Sequence, residues 1–169
     1  MKTVYLALGS NIGDRLQHLS KAIAGLPKAG LEVVAVSSVY ETKPMYKTDQ
    51  PQFYNLVVEA KTDALPRVLL RRLQSLEREL GRRRIVANGP RTIDIDILFF
   101  GRFVIQTPDL MVPHPRMEER RFVLEPLAEI APQLRHPVSK KSIAELLGAT
   151  MDQPIRKTEH RIPPETAAS

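Results

Sequence analysis

Two aspartates spaced two residues apart, Asp94 and Asp96, are the side chains of this sequence best suited to metal chemistry. They lie in residues 91–98, RTIDIDIL, whose alternation predicts a strand with both carboxylates on one face. At a Cα separation of about 6–7 Å, the carboxylates would repel by roughly 3 kcal/mol at an effective dielectric of 20. A hard divalent cation removes that cost, and two cations on such a pair are typical of two-metal phosphoryl transfer. The alternative is a solvated acidic strand face.

Arginine is concentrated between residues 67 and 91. This segment carries eight arginines against Glu77 and Glu79, so it accounts for the whole formal net charge of +6. A guanidinium can donate to two phosphate oxygens at once, and a local block of this kind indicates a phosphate-rich ligand. The alternative is a solvated helix face that continues into a basic loop. The block consists of Arg67, Arg71, Arg72, Arg78, Arg82, Arg83, Arg84 and Arg91.

Other candidate binding groups are spread along the chain. Asn55 carries a donor and an acceptor on one amide, which suits the edge of a planar heterocycle, and the nearby Phe53 is either a stacking partner or a core residue. Gln74 and Glu77 share a helix face, where they border a groove or Glu77 pairs with a neighbouring arginine. His114 lies in the proline-flanked stretch VPHP, where it contacts phosphate or caps the loop.

Several common chemistries are excluded by the composition. The chain has no cysteine, which rules out disulfides, thiolate nucleophiles and cysteine-based zinc sites. The glycine patterns GxxxxGK[ST] and GxGxxG are also absent from the sequence. If this chain binds a triphosphate, arginines and metal must hold it instead of a glycine-rich loop.

The elements that must position these residues follow from the hydrophobic periodicity. Strands are predicted over residues 3–8, 31–42, 53–61 and 92–100, and helices over residues 15–26 and 66–80. The order strand, helix, strand, strand, helix, strand is typical of an α+β ferredoxin-like βαββαβ sandwich, with one sheet face free for loops. An extra strand at residues 103–105 and helical pieces near residues 124–130 and 142–147 complete the expected fold.

Length and composition predict one domain. The chain has 169 residues, 43% hydrophobic and 26% charged, which is ordinary for a globular protein. We expect a single domain over residues 1–150 and a polar C-terminal tail over residues 151–169. No apolar run approaches the roughly 20 residues that a bilayer requires, and no signal-peptide pattern follows Met1. A cytoplasmic protein is therefore expected.

Four segments, read together, resemble the 6-hydroxymethyl-7,8-dihydropterin pyrophosphokinase family of folate biosynthesis. The likeness extends to about residue 132, and its most specific part is the string GPRTIDID. The segments are residues 6–11 (LALGSN), 49–55 (DQPQFYN), 89–96 (GPRTIDID) and 112–117 (VPHPRM), followed by Arg120 and Phe122.

The resemblance implies transfer of the pyrophosphoryl group of ATP to the pterin hydroxymethyl oxygen, with release of AMP. It implies two Mg²⁺ ions on Asp94 and Asp96, and catalytic roles for Arg82, Arg91 and Asp96. The residues that would border ATP are Gln74, Glu77, Arg82, Arg84, Arg91, Ile97, His114 and Arg120. The pterin pocket would comprise Thr42, Pro44, Met45, Phe53, Asn55 and Phe122. In this pocket Phe53 and Phe122 would stack on the ring while Asn55 reads its edge.

The expected partners are the two small-molecule substrates, with no nucleic acid and no membrane, and the chain is expected to be a monomer. Two other classes of function stay open. An RNA-binding module would suit a basic, ferredoxin-like sheet, although aromatic residues are only 5% and no RNP-like run is present. A non-catalytic regulatory domain that binds a small ligand is the other alternative.

Overall fold

The computed structural model describes residues 1–43, 51–81 and 92–167. The described residues form eight strands and four helices. In chain order these are β1 (Lys2–Ser10), α1 (Arg15–Gly25), β2 (Leu31–Val36), β3 (Ser38–Thr42), β4 (Phe53–Thr62), α2 (Pro66–Glu79), β5 (Asp94–Phe100), β6 (Ile105–Gln106), β7 (Met111–Val112), α3 (Arg121–Ile130), α4 (Ile143–Gly148) and β8 (Arg156–Arg161).

Six strands build one antiparallel sheet in the order β5-β1-β4-β3-β8, and β2 also pairs with β4. The sequence predicts one continuous strand over residues 31–42, but the structure divides it at Ser37. The Ser37 hydroxyl accepts the amide hydrogen of Val57 at 2.9 Å. A side chain thus replaces a backbone carbonyl in the ladder, and β2 and β3 pair with different halves of β4.

The sheet is covered by helices on both faces. On one face α1 and α2 pack against alternate residues of β1, namely Val4, Leu6 and Leu8. The opposite face was expected to be left to loops. Instead α3 and α4 cover part of it, because apolar side chains such as Tyr5 and Phe99 project there and need a partner layer.

The helices begin and end where local chemistry favours it. The Asp14 carboxylate caps α1 by accepting from the amide of Gln17 at 3.1 Å, and α2 starts with Pro66, which suits a first helical turn. Leu69, Leu73 and Leu76 recur at three- and four-residue steps along α2, and all three are buried. None of the helices within the described ranges is long and apolar enough to cross a bilayer.

The segment predicted as a polar tail contributes to the fold. Strand β8 pairs with β3, and beyond it Ile162 and Ala167 are buried in the cluster under α1 and α2. Hydrophobic periodicity does not reveal β8, because it is an edge strand in which only Thr158 is buried. The polarity seen in the sequence therefore belongs to an exposed strand face.

Candidate active site

The two aspartates lie on one face of β5, as predicted. Asp94 and Asp96 are half-buried, whereas Ile95 and Ile97 are buried on the opposite face. The register places Asp94 beside Gly9 and Asp96 beside Ala7 on the central strand β1. Both cross-strand neighbours are therefore small residues, and neither places a bulky side chain beside the carboxylates.

The same row continues across the sheet to the predicted amide. Gly9 pairs with Asp94 on one side and with Asn55 of β4 on the other. Two strand spacings of about 4.8 Å each therefore separate the backbones of Asp94 and Asn55. The structure thus brings the acidic pair and the amide onto one surface, with glycine between them.

Asn55 is held in one orientation. Its Nδ2 donates to the Thr42 hydroxyl at 2.7 Å, and both residues are buried. The amide oxygen consequently points over Gly9, where a Cβ would lie 2.9 Å from Asn55 Oδ1 and 3.5 Å from Phe53 Cδ1. Phe53 is half-buried and pairs with Thr42. The backbone of Gly9 therefore forms the sheet surface next to these side chains.

Gly9 is not among the site residues predicted from the sequence, although a signal was available. Glycine inside a strand often marks a position where a ligand or another group approaches the backbone closely. Here the approaching group is the fixed amide of Asn55. A larger residue would fill the surface between the carboxylates and the amide.

His114 lies near the acidic pair. Its backbone amide donates to the carbonyl of Leu98 on β5 at 3.0 Å. Burial lowers the pKa of His114, the positive charge of Arg120 lowers it further, and the Asp94 carboxylate opposes both effects. His114 is thus neutral at neutral pH and lies within electrostatic range of Asp94 and Arg120.

Arg120 and Phe122 stand together at the start of α3. Arg120 occupies the N-cap position with extended backbone, and its guanidinium carbon lies 5.6 Å from the centre of the Phe122 ring. Phe122 is half-buried beside the cluster that α3 forms with the sheet. The predicted cation and the predicted stacking ring are therefore neighbours on one helical end.

The two candidates on α2 differ in their surroundings. Gln74 is exposed, whereas Glu77 is only 7% exposed. A Glu77 carboxylate oxygen accepts the amide hydrogen of Ile95 at 2.7 Å. Glu77 therefore anchors the backbone between the two aspartates. The sequence had suggested only that Glu77 borders a groove or pairs with a neighbouring arginine.

Ile97 lies apart from the other candidates. Its side chain is 6% exposed and packs in the cluster under α1 and α2, on the sheet face opposite Asp94 and Asp96. The strand alternation that exposes the aspartates is the reason for this burial. A nucleotide contact at this position would have to come from the backbone on the sheet edge.

Five further candidates, Pro44, Met45, Arg82, Arg84 and Arg91, fall outside the described residues.

The acidic pair suits a hard cation. Two carboxylates are the kind of protein ligand that Mg²⁺ takes alongside substrate phosphates, and Asp94 and Asp96 offer them on one half-exposed strand face. Within the described ranges, no group of three or more histidine, aspartate or glutamate side chains is placed to hold a metal ion.

Comparison with known proteins gives a consistent picture. Residues 5–132 match the family model of 7,8-dihydro-6-hydroxymethylpterin-pyrophosphokinase (HPPK). The 2-amino-4-hydroxy-6-hydroxymethyldihydropteridine pyrophosphokinase of Bacillus subtilis is 56% identical over 131 residues, which cover 77% of this chain and 78% of that protein. The enzyme of the same name from Aquifex aeolicus is 46% identical over 145 residues, covering 86% and 90%.

Longer proteins contain the same region. The folic acid synthesis protein fol1 of Pneumocystis carinii is 45% identical over 155 residues, and the match spans 92% of this chain but only 21% of that protein. The crystal structure of Plasmodium falciparum HPPK-DHPS with pteroate superposes with a TM-score of 0.73 at 20% identity, covering 88% of this chain and 42% of the other. The structural likeness extends the agreement in fold to a distant sequence.

Proposed function

The chain belongs to the 7,8-dihydro-6-hydroxymethylpterin-pyrophosphokinase family, and from this premise we propose that it transfers the pyrophosphoryl group of ATP to the hydroxymethyl oxygen of 6-hydroxymethyl-7,8-dihydropterin. AMP and the pterin diphosphate are the products, and the reaction serves folate synthesis. The observation that carries the proposal is the single row formed by Asp94, Gly9 and Asn55 across three strands. Membership of this family favours an enzyme over an RNA-binding module or a regulatory domain.

The pterin is bound at the Asn55 end of the row. A pterin edge presents donors and acceptors side by side, and the amide of Asn55 can match them because Thr42 fixes its orientation. Phe53 and Phe122 supply aromatic faces on which a flat ring would stack. Pro44 and Met45 are further proposed members of the pocket.

The nucleotide is bound at the acidic end. Asp94 and Asp96 would hold two Mg²⁺ ions, which when bound neutralise phosphate charge and polarise the reacting groups. His114 and Arg120 border the phosphates, where neutral His114 donates a hydrogen bond and Arg120 adds positive charge. Gln74, Glu77 and the backbone of Ile97 border the rest of ATP. Arg82, Arg84 and Arg91 are proposed to close over the reactants.

Alignment does most of the catalytic work in this scheme. Phosphoryl transfer depends mainly on in-line positioning of the nucleophile and on charge stabilisation. Asp94 and Asn55 lie about two strand spacings apart on one side of the sheet, so a nucleotide at one end and a pterin at the other would be held side by side. Asp96 is proposed to accept the hydroxymethyl proton, and Arg82 and Arg91 to stabilise the charge on the departing AMP.

We further propose that residues 1–100 form a ferredoxin-like core and that the chain acts as a monomer. The element order strand, helix, strand, strand, helix, strand and the central sheet order β5-β1-β4-β3 support the first proposal. Light scattering of the purified chain tests the second, because a dimer would double the measured mass.

The reaction is tested by product identity. The protein is mixed with Mg²⁺, ATP and reduced hydroxymethylpterin, and nucleotides are separated by chromatography. We expect AMP and the pterin diphosphate in equal amounts, and formation of ADP instead of AMP would contradict the proposal.

The Asp96→Asn variant tests the acidic pair in the same assay. It should lose at least about 100-fold in kcat while its melting temperature stays near that of the wild type, because the carboxylate serves transfer more than folding. Asp63→Asn, an exposed aspartate between β4 and α2, is the matched control and should keep full activity. Retained turnover in Asp96→Asn would remove the metal assignment.

A further inference from the structure

The side chain of Gln153 contacts the backbone where α3 begins. Its Oε1 accepts the amide hydrogen of Arg121 at 2.9 Å, and its Nε2 donates to the carbonyl of Glu119 at 2.6 Å. One carboxamide thus bonds to the residue before Arg120 and to the residue after it. Arg120 is held from both sides by a residue more than 30 positions further along the chain.

The chemistry of the two contacts requires a carboxamide. The amide of Arg121 is the first of α3 and has no acceptor within the helix, and the N-cap residue Arg120 supplies no side-chain cap. The carbonyl of Glu119 needs a donor. A carboxylate would satisfy only the first group, and an apolar side chain neither.

Arg121 strengthens the same attachment. Its guanidinium donates to the carbonyls of Met151 (3.1 Å) and Gln153 (2.8 Å) and to the Glu125 carboxylate (2.9 Å). A cation in the first turn opposes the helix dipole, so helix formation does not explain an arginine here. The contacts with residues 151–153 and Glu125 do.

The segment that carries Gln153 is itself fixed at both ends. Upstream, the Gln153 amide donates to the carbonyl of Thr150 at 3.0 Å, directly after α4, which packs in the same cluster as α3. Downstream, β8 pairs with β3, and the Thr158 hydroxyl donates to the carbonyl of Val39 at 2.7 Å. Gln153 therefore connects the start of α3 to the sheet.

We propose that Gln153 is a positioning residue that sets Arg120 and Phe122 against the substrates through the backbone on either side of Arg120. This inference rests on the proposed function, in which Arg120 borders ATP and Phe122 stacks on the pterin. Gln153 lies outside residues 5–132, which match the family model. Without the two bonds, the start of α3 frays and both side chains sample positions away from the ligands.

The Gln153→Met variant removes both hydrogen bonds while keeping a side chain of similar length. We expect the Kd for the pterin, measured by calorimetry, to rise about tenfold, the magnitude of one to two lost hydrogen bonds. The KM for ATP should rise as well, while kcat at saturation stays within about threefold, because the acidic pair is untouched. Hydrogen exchange at the Arg121 amide should accelerate.

The Gln153→Glu variant separates positioning from plain helix capping. It keeps the acceptor for the Arg121 amide but places a second acceptor against the Glu119 carbonyl. The free energy of unfolding should therefore be closer to that of the wild type than in Gln153→Met, while pterin affinity stays low. The pterin carries no net charge, so the added carboxylate does not repel it. Full recovery of pterin affinity in this variant would show that Gln153 only caps α3 and would overturn the proposal.

Gln17→Met, the same change at an exposed position of α1, is the control and should leave both affinities unchanged. The proposal also fails if Gln153→Met binds pterin within twofold of the wild type although its Arg121 amide exchanges faster. Failure of the proposed function is recognised separately, because then the wild type forms no AMP, whereas exchange at Arg121 is measured without substrate.

Discussion

Gly9 separates the two halves of the candidate site. Its neighbours across the sheet are Asp94 and Asn55, and a Cβ at Gly9 would come within 2.9 Å of Asn55 Oδ1. Asn55 cannot simply move aside, because its other amide atom is bonded to Thr42. The absence of a side chain at one position therefore determines whether the predicted pterin contact can be made.

The Gly9→Ala variant should bind pterin at least about tenfold more weakly, because displacing a fixed amide sacrifices a hydrogen bond worth about 1 kcal/mol or more. Calorimetry with the pterin provides the measurement. Gly148→Ala is the matched control, since a Cβ there meets nothing within 4 Å, and it should bind normally. Normal pterin affinity in Gly9→Ala would mean that the ligand does not lie over the backbone of Gly9.

Two carboxylates, the buried Glu77 and the half-buried Glu129, attach helices to the sheet. Glu77 of α2 bonds to the amide of Ile95, and Glu129 of α3 accepts from the Tyr40 hydroxyl at 2.7 Å and from Ser38 of β3. The first attachment holds the strand that carries the aspartates. The second holds β3, which carries Thr42, against the helix that carries Phe122.

The Glu77→Leu variant should lower the free energy of unfolding by about 1–3 kcal/mol, the cost of leaving the Ile95 amide unsatisfied. Urea denaturation measures this change. Glu79→Leu, an exposed position two residues further along α2, serves as the control and should change the free energy of unfolding by less than about 0.5 kcal/mol. Equal effects of the two substitutions would show that the Glu77–Ile95 bond contributes nothing.

The attachment through Glu129 should depend on pH. Burial raises the pKa of Glu129, but hydrogen bonds from Tyr40 and Ser38 outweigh it and lower the pKa below the usual 4.5. Burial and the bond to Glu129 raise the pKa of the Tyr40 hydroxyl, which therefore stays protonated and donates. A lowered carboxylate pKa contributes stability that is complete above about 4.5 and is lost as pH falls through the folded value.

The melting temperature of wild type minus that of Glu129→Gln should accordingly be constant near neutral pH and shrink below about pH 4.5. Differential scanning calorimetry across the acid range gives this difference. Glu159→Gln on the exposed β8 is the control and should show no such trend. A difference that stays constant down to acid unfolding would contradict the assigned role of Glu129.

At the scale of the whole molecule, the residues from β8 onward pack in the same core as β1 and α1. Strand β8 extends the sheet beyond β3, and Ile162 is 5% exposed among residues of α1 and α2. The segment between α4 and β8 supplies Gln153 to the start of α3. The C-terminal residues therefore act on both stability and the proposed site.

The Ile162→Ala variant should lose about 2–4 kcal/mol of unfolding free energy, as expected for a buried isoleucine that leaves a cavity. Ile12→Ala, the same change at an exposed position, is the control and should cost far less. Chemical denaturation of both variants provides the test. If Ile162→Ala left the free energy of unfolding unchanged, residues 151–169 would have to be regarded as a tail outside the fold.

The sequence by itself determined the family, the main strands and helices before residue 100, and the shared face of Asp94 and Asp96. These features depend on local periodicity and on short motifs, which are properties of neighbouring residues. Asn55 could likewise be chosen as a candidate because its amide carries a donor and an acceptor together, which suits the edge of a planar heterocycle.

Only the tertiary structure decided which distant residues complete the site. Strand register places Gly9 between Asp94 and Asn55. Strand alternation buries Ile97 on the opposite face of the sheet. Gln153 contacts the start of α3 although it lies more than 30 residues further along the chain. Each outcome depends on contacts between segments far apart in the chain, and a polar edge strand or a lone glutamine carries no local signal of its partner. The pairing of the sheet supplies that information, because it fixes which side chains share a row and which face they share it on.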